Sequence, residues 1–233
     1  MPSITHLQQK KIWDKEHKNP YVLKQMDSTK PSSGVILFLS FLKQKGELKK
    51  ILKGIEPGCG KGRNVIYLGK QEIQMIGIDY SLSAIKEAKR RAKDVKNVSF
   101  LLQDATKKWK FYSKTFDFAI DCFATTDIES KKGRTFAVKE MIRVLKPKGY
   151  LLVYVMSTDD EFHRQMIKES PADEPNAFIH PTTGKFEKVY DREELLELYS
   201  GLRLTEEKRV KKITTFFGKD YSCRNYWMIF QKA

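Results

Sequence analysis

Short apolar stretches alternate with amphipathic ones through the middle of the chain. Five stretches are rich in aliphatic and β-branched residues and predict strands, while the segments between them include helical patterns. The predicted strands are residues 51–56, 73–78, 98–102, 116–121 and 150–156. Because strands alternate with helices, this order predicts parallel βαβ units and an α/β, Rossmann-like, doubly wound sheet.

The clearest predicted helix covers residues 81–93, between the second and third strands. Ser81 is a favourable N-cap, and the apolar side chains of Ile85 and Ala88 follow at helical spacing. A later helix is predicted at 134–145, where a Lys-Pro-Lys-Gly turn ends it. Both helices are placed to act as crossovers between parallel strands.

Three segments surround this core, and together they predict a single domain. Residues 1–45 predict two helices that form a lid, and residues 157–190 are polar, contain prolines and predict a long insertion. Residues 191–233 predict a closing helix and two strands, joined near Gly218 as an antiparallel hairpin at the sheet edge. With this hairpin the predicted sheet has seven, mostly parallel strands.

The composition is that of an ordinary globular domain, with 40% hydrophobic and 31% charged residues. No apolar run approaches the roughly 20 residues of a membrane span, and the first residues are too polar for a signal peptide. Cys59, Cys122 and Cys223 are far apart and form no C-x-x-C motif, so we interpret them as packing residues. These features predict a reducing, cytoplasmic location.

The formal net charge of +15 has two interpretations. A nucleic acid or another anionic partner would use such charge for steering and phosphate contact. However, the excess is mostly lysine and is spread along the whole chain, whereas arginine is better suited to bidentate phosphate recognition. We favour a solvated basic surface, and a nucleic-acid partner stays open as the alternative.

A glycine-rich turn at residues 56–62 follows the first predicted strand. Gly58, Gly60 and Gly62 allow a ligand to approach the backbone closely, and the helix that follows directs its free N–H groups toward it. A dinucleotide fingerprint would need a third glycine where Arg63 stands. A phosphate-binding P-loop would need glycine at position 55 and Ser or Thr at position 62, where the chain has isoleucine and glycine.

The acid-x-G-x-G-x-G pattern of this turn closely resembles the first motif of class I S-adenosylmethionine-dependent methyltransferases. The resemblance covers residues 50–156 well and implies S-adenosylmethionine as the cofactor. It also implies that the turn holds the methionine part of the cofactor and that its leading acid holds the ammonium group. The turn residues implicated in this way are Glu56, Gly58, Cys59, Gly60 and Gly62.

Three further strand ends resemble the later motifs of the same family. At the second strand, Asp79 is implied to bind the ribose hydroxyls and Tyr80 to flank the adenine. At the third strand, Asp104 is the candidate acceptor for the adenine amino group, followed by Ala105. The fourth strand is implied to bring its end, from Asp121 to Phe123, to the methyl group and the cofactor.

A hydroxyl acceptor would also need a general base. Asp121 is the carboxylate best placed by its position on the fourth strand, and His163 and His180 lie in the insertion expected to roof the pocket. Exposed loop histidines are an equally open interpretation of the last two. No motif predicts a metal site.

Residues 180–196 are similar to the corresponding region of small-molecule methyltransferases, including the tellurite-resistance type. The aromatic residues expected to line an acceptor pocket are Trp13, Tyr21, Phe162 and Phe178. The sequence therefore favours transfer of a methyl group to an O, N or S atom of a small molecule. An RNA methyltransferase and a non-catalytic cofactor-binding protein remain the alternatives, and the oligomeric state is left open.

Overall fold

A computed structural model describes residues 3–19, 27–49, 51–216 and 219–233. The helices are α1 (His6–Lys18), α2 (Ser33–Gln44), α3 (Arg63–Gly69), α4 (Leu82–Arg91), α5 (Lys131–Val144), α6 (Glu161–Glu169) and α7 (Arg192–Leu198). The strands are β1 (Lys53–Pro57), β2 (Gln74–Asp79), β3 (Val98–Leu102), β4 (Phe116–Cys122), β5 (Leu145–Met156), β6 (Ala177–Ile179), β7 (Phe186–Lys188), β8 (Arg203–Phe216) and β9 (Lys219–Gln231).

A seven-stranded sheet has the order β3-β2-β1-β4-β5-β9-β8. Strands β1 to β5 are parallel, β9 is antiparallel to β5, and β8 is antiparallel to β9. The predicted Rossmann-like sheet and its antiparallel hairpin are therefore confirmed. Because β1 lies between β2 and β4, the strand order reverses there, and the carboxyl ends of β1 and β4 form the crevice where such sheets bind ligands.

The largest differences from the predicted strand bounds are in β5 and β8. β5 begins at Leu145 rather than after the predicted turn, because Leu145 already pairs with Phe116 of β4 before the register shifts between Phe116 and Phe118. β8 continues to Phe216 because it pairs along its whole length with β9, from Arg203 to Phe216. The turn predicted near Gly218 lies outside the described residues.

The two faces of the sheet bury separate apolar clusters. Along β4, Phe118 and Ile120 pack in the cluster beneath α2 and α3, while Ala119 packs in the cluster beneath α5 and α7. This alternation is the normal period of a strand. It also decides which residues at the end of β4 face which side of the sheet.

The N-terminal helix α1 lies across the carboxyl ends of the strands. Gln9 Nε2 donates to the carbonyl oxygens of Asp127 and Phe186, at 2.8 and 2.9 Å, and Phe186 N donates back to Gln9 Oε1. Asp14 accepts from the hydroxyls of Ser81 and Ser83 at the start of α4. These contacts tie α1 to the core and to the insertion. Within the described ranges, no helix is both long and apolar enough to cross a bilayer.

Candidate cofactor and acceptor site

The glycine turn leaves β1 at Pro57 and reaches α3 through residues with positive φ. Gly58 and Gly62 have φ values of 62° and 80°, a region that suits glycine. A Cβ on Gly62 would lie 2.6 Å from a ring atom of Phe100, so the turn also needs the absence of a side chain there. Cys59 N donates to Ile78 O at 3.1 Å, which joins the turn to the end of β2.

A cavity of about 310 Å³ opens above this turn. It is lined by the ends of β1, β2, β4 and β5, by α1, by the segment 157–190 and by the β8–β9 hairpin. The predicted site residues in its lining are Glu56, Gly58, Cys59, Gly60, Asp79, Tyr80, Ala105, Phe123, His163 and His180. Three other predicted residues, Gly62, Asp104 and Asp121, lie outside that lining.

Glu56 is a buried carboxyl at the end of β1. Its Oε1 accepts from Asn64 Nδ2 at 2.7 Å, while Oε2 has no hydrogen-bond partner among the described residues. Burial raises the pKa of this carboxyl to about 8. A buried acid with one unpaired oxygen suits a cationic donor from a ligand, such as an ammonium group.

Asp79 holds the glycine turn and the start of α4 together. Its Oδ2 accepts from Gly60 N at 2.9 Å, and its Oδ1 accepts from Ser81 N at 2.8 Å. Burial raises the pKa of Asp79 to about 6. Each carboxylate oxygen can accept a second hydrogen bond, so the group can still receive two ligand hydroxyls.

Asp104 is engaged by the protein itself. Its Oδ2 lies 2.8 Å from His6 Nε2, and its Oδ1 accepts from the backbone and hydroxyl of Thr106 at 2.8 and 2.7 Å. The neighbouring Gln103 and Ala105 line the cavity instead. The sequence could not show this arrangement because His6 lies on α1, far away along the chain.

Asp121 points to the side of the sheet that is covered by α5 and α7, and it is absent from the cavity lining. Its carboxylate accepts from Thr125 N at 3.1 Å, from Thr125 Oγ1 at 2.6 Å and from the hydroxyl of Tyr199. The side chain is fully buried, and burial raises its pKa. The strand alternation that places Ala119 beneath α5 places Asp121 on the same side. We therefore do not propose Asp121 as the base.

Phe123 follows β4 with a φ of 66°, a backbone conformation uncommon outside glycine. Its N–H donates to Tyr154 O at 3.0 Å, which holds the turn against β5. The ring lines the cavity beside the glycine turn. A Cβ on Gly58 would lie 3.1 Å from Ala124 Cβ, so the two turns approach each other closely.

His163 is buried in the cavity wall and is held by Asp160, a residue that the sequence analysis missed. His163 Nδ1 lies 2.7 Å from Asp160 Oδ2, and Asp160 Oδ1 accepts from His163 N at 2.8 Å. Arg224 N also donates to Asp160 Oδ2, at 2.9 Å. Although burial raises the pKa of Asp160, its contact with His163 lowers it overall. The sequence feature that could have indicated this pair is an aspartate three residues before a histidine at the start of a helix.

His180 also lines the cavity, but its ring takes part in a local turn. Its Nδ1 accepts from the backbone of Thr182 and Thr183, both at 3.3 Å. Burial lowers its pKa. His180 therefore has a structural role in the turn before β7.

The cavity is also lined by aromatic rings and one buried lysine. Of the predicted aromatic residues, Trp13, Phe162 and Phe178 line it, and Tyr21 lies outside the described residues. Lys185, which the sequence analysis missed, is fully buried with its Nζ 4.1 Å from the centre of the Trp13 ring. No feature of the neighbouring sequence predicted that Lys185 would be buried.

Comparisons with known proteins point to one family. Residues 48–218 match the family described as methyltransferase domain. Demethylmenaquinone methyltransferase of Renibacterium salmoninarum is 30% identical over 58% of this chain and 45% of its own. The tRNA (carboxymethyluridine(34)-5-O)-methyltransferase of Arabidopsis thaliana is 26% identical over 67% of this chain and 37% of its own. The chain therefore matches less than half the length of these two relatives.

The fold also matches solved structures. The 1,6-didemethyltoxoflavin-N1-methyltransferase of Burkholderia thailandensis, solved with 1,6-didemethyltoxoflavin and S-adenosylhomocysteine, superposes with a TM-score of 0.69 at 13% identity. The match covers 100% of this chain and 92% of that protein, and at this identity it shows the fold alone. Since the family match covers well over half of the chain, the chain belongs to the methyltransferase domain family, which confirms the class I resemblance of its sequence and S-adenosylmethionine as its cofactor.

Proposed function

We propose that this chain transfers a methyl group from S-adenosylmethionine to an O, N or S atom of a small molecule, with His163 as the general base. The observation that carries the proposal is that Glu56, Asp79 and His163, whose ring is held by Asp160, all line one cavity. A cofactor and an acceptor bound in this one cavity would lie close together, as group transfer requires.

The chain's own residues fit the cofactor. The unpaired Oε2 of Glu56 suits the ammonium group, and the carboxylate of Asp79 has acceptor capacity left for ribose hydroxyls. The glycine turn keeps side chains away from both. When bound, S-adenosylmethionine supplies a sulfonium-activated methyl group, so the protein mainly has to align the acceptor and exclude water.

The cavity offers aromatic surface to an acceptor. Trp13 from α1 and Phe162 and Phe178 from the insertion line it, and the whole cavity measures about 310 Å³. This size lies near the lower end of the range for small-molecule sites. Rings on both the lid and the insertion favour an acceptor buried between them.

The Asp160–His163 pair suits proton removal. An ionised Asp160 accepts the Nδ1 proton, which leaves Nε2 of the neutral ring as the basic nitrogen. A base oriented by a buried carboxylate is the arrangement found in many nucleophilic sites. His163 would take the proton of a hydroxyl, amine or thiol acceptor as its atom attacks the methyl group.

Two assays test the proposal. Binding of S-adenosylhomocysteine by calorimetry tests the cofactor region, and we expect Asp79→Ala to weaken it at least about tenfold by removing charge-assisted hydrogen bonds. Unchanged affinity would show that Asp79 does not hold the ribose.

Release of S-adenosylhomocysteine with panels of phenols, N-heterocycles and thiols, in parallel with total RNA, tests the acceptor. Release of S-adenosylhomocysteine with RNA alone would establish the RNA alternative, and cofactor binding without any turnover would favour a non-catalytic protein.

A further inference from the structure

Besides Glu56 Oε2, the cavity lining contains buried nitrogen atoms that have no hydrogen-bond partner among the described residues. Three of them are Trp13 Nε1, His17 Nδ1 and Lys185 Nζ, and we refer to these residues as the donor cluster. The indole and the ammonium are donors only, and the imidazole can donate from Nδ1. Buried polar groups are normally hydrogen-bonded, so three such atoms in one cavity call for a ligand that accepts.

Lys185 is the central member of the cluster. Its side chain is fully buried, and its Nζ lies 4.1 Å from the centre of the Trp13 ring. The ring face attracts the charge but leaves its N–H donors unsatisfied. Lys188, three residues later, shows the contrast, because its buried ammonium donates to Val189 O at 2.9 Å and pairs with Glu194 at 2.7 Å.

The acids in the same lining do not neutralise Lys185 by contact. Asp127 and Glu187 both line the cavity, and neither forms an ion pair with Lys185 within the part of the chain that the structure describes. Burial, followed by the charge of Glu187, raises the pKa of Asp127 and favours its neutral form. Burial, followed by Lys61 and Lys185, lowers the pKa of His17 to about 4, so its ring is neutral.

We propose that the donor cluster binds an anionic oxygen group of the methyl acceptor, a carboxylate or a phosphate, and that the acceptor is therefore a small anion. The inference rests on the proposed function, since it names the class of acceptor for the same cavity. The rings of Phe162 and Phe178 share the lining with the cluster. An aromatic acid matches this combination of apolar walls and one buried cation.

A matched pair of probes tests the inference. Calorimetry on the full chain saturated with S-adenosylhomocysteine would compare 4-hydroxybenzoate with its neutral analogue 4-hydroxybenzamide, and would also include inorganic phosphate. We expect the benzoate to bind at least about tenfold more tightly than the amide. Lys185→Met should abolish this preference, and Lys185→Arg should keep part of it. Lys139→Met, at an exposed position of α5 outside the cavity lining, is the control and should behave as the wild type.

A second variant separates folding from binding. Trp13→Phe keeps an aromatic ring beside Lys185 and removes only the indole N–H, so it should weaken benzoate binding several-fold. Equal binding of the benzoate and the amide to the wild type would overturn the inference, as would failure of both the benzoate and phosphate to bind. If Lys185→Met weakened S-adenosylhomocysteine binding instead, the anion would be the cofactor's own carboxylate, which also overturns it. Failure of the wild type to bind S-adenosylhomocysteine would overturn the proposed function itself.

Discussion

His163 Nδ1 lies 2.7 Å from Asp160 Oδ2, and the same carboxyl group accepts from His163 N through its other oxygen. One aspartate therefore caps α6 and orients the ring of the residue in its first turn. Asp160 also accepts a hydrogen bond from Arg224 N, so the same carboxyl group contacts strand β9. The position of the proposed base thus depends on a single side chain that joins the insertion to the sheet.

The first prediction concerns this aspartate. Asp160→Asn keeps an oxygen to cap α6 but puts an amide N–H where His163 Nδ1 donates, so the ring is held in the wrong tautomer. We expect kcat to fall about 10²- to 10⁴-fold. S-adenosylhomocysteine affinity should stay near that of the wild type. Steady-state kinetics with the acceptor found in the panel would measure this.

The control for that variant is the neighbouring residue. Asp159 forms a partly exposed ion pair with Arg209 at 2.6 Å, so Asp159→Asn should leave kcat close to the wild-type value. If Asp160→Asn and Asp159→Asn had the same kcat at every pH, His163 would not be acting as a base oriented by Asp160.

The second prediction concerns the pH dependence of stability. Burial raises the pKa of Glu56 to about 8, so the folded chain binds this proton more tightly than the unfolded chain. The free energy of unfolding without ligand should therefore fall as the pH rises from the ordinary glutamate value to about 8. The slope is at most about 1.4 kcal/mol per pH unit. Glu56→Gln should flatten this part of the curve, as measured by chemical denaturation between pH 5 and 8.

Glu193 supplies the comparison for Glu56. It is exposed on α7, so Glu193→Gln should keep the wild-type pH profile. An identical profile for Glu56→Gln and the wild type would mean that Glu56 does not titrate in this window.

Much of the fold and of the cofactor end could be predicted from the sequence, because local rules govern both. Alternating strand and helix patterns set the order of the core, and the glycine spacing around Gly58 and Gly60 carries its own backbone requirement. The prediction for Asp121 relied on the motif alone and did not consider that successive residues of a strand face opposite sides of the sheet. Phe118 and Ile120 pack on one face, so the residue after Ile120 had to face the other way.

The remaining site residues depend on contacts between distant parts of the chain. His6 reaches Asp104 from α1, and Lys185 meets Trp13 only after the insertion folds back over that helix. No periodicity or local spacing encodes such pairs. Asp160 was missed for a different reason, since as a helix cap it has a sufficient structural role of its own.

The third prediction separates a structural from a catalytic role for Asp121. Its carboxylate accepts from Thr125 and Tyr199 on the face covered by α5 and α7, so Asp121→Asn should lower the free energy of unfolding by about 1–3 kcal/mol. The kcat of the folded protein should change little. A large loss of kcat together with unchanged stability would indicate that Asp121 has a catalytic role.

The fourth prediction concerns the docking of α1. Although burial lowers the pKa of His6, its contacts with Asp104 and Glu129 raise it overall. The stabilisation of α1 by this contact is therefore present below the ordinary histidine pKa and is lost as the pH rises through the raised value. The effect should be about 0.5 kcal/mol, because the pair is partly exposed. Hydrogen exchange of the α1 amides, corrected for intrinsic rates, should show this loss of protection, and His6→Gln should remove its pH dependence.

The last prediction compares two buried lysines near β7. Lys185 has no hydrogen-bond partner among the described residues, whereas Lys188 donates to Pro175 O, Val189 O and Glu194. Without ligand, Lys185→Met should raise the free energy of unfolding by about 1 kcal/mol, since methionine keeps the length and removes an unpaired buried charge. Lys188→Met should lower it by about 3–5 kcal/mol, because Glu194 and the carbonyl oxygens lose their partner. Chemical denaturation of both variants measures the difference, and equal destabilisation would mean that the ammonium of Lys185 is already satisfied within the protein.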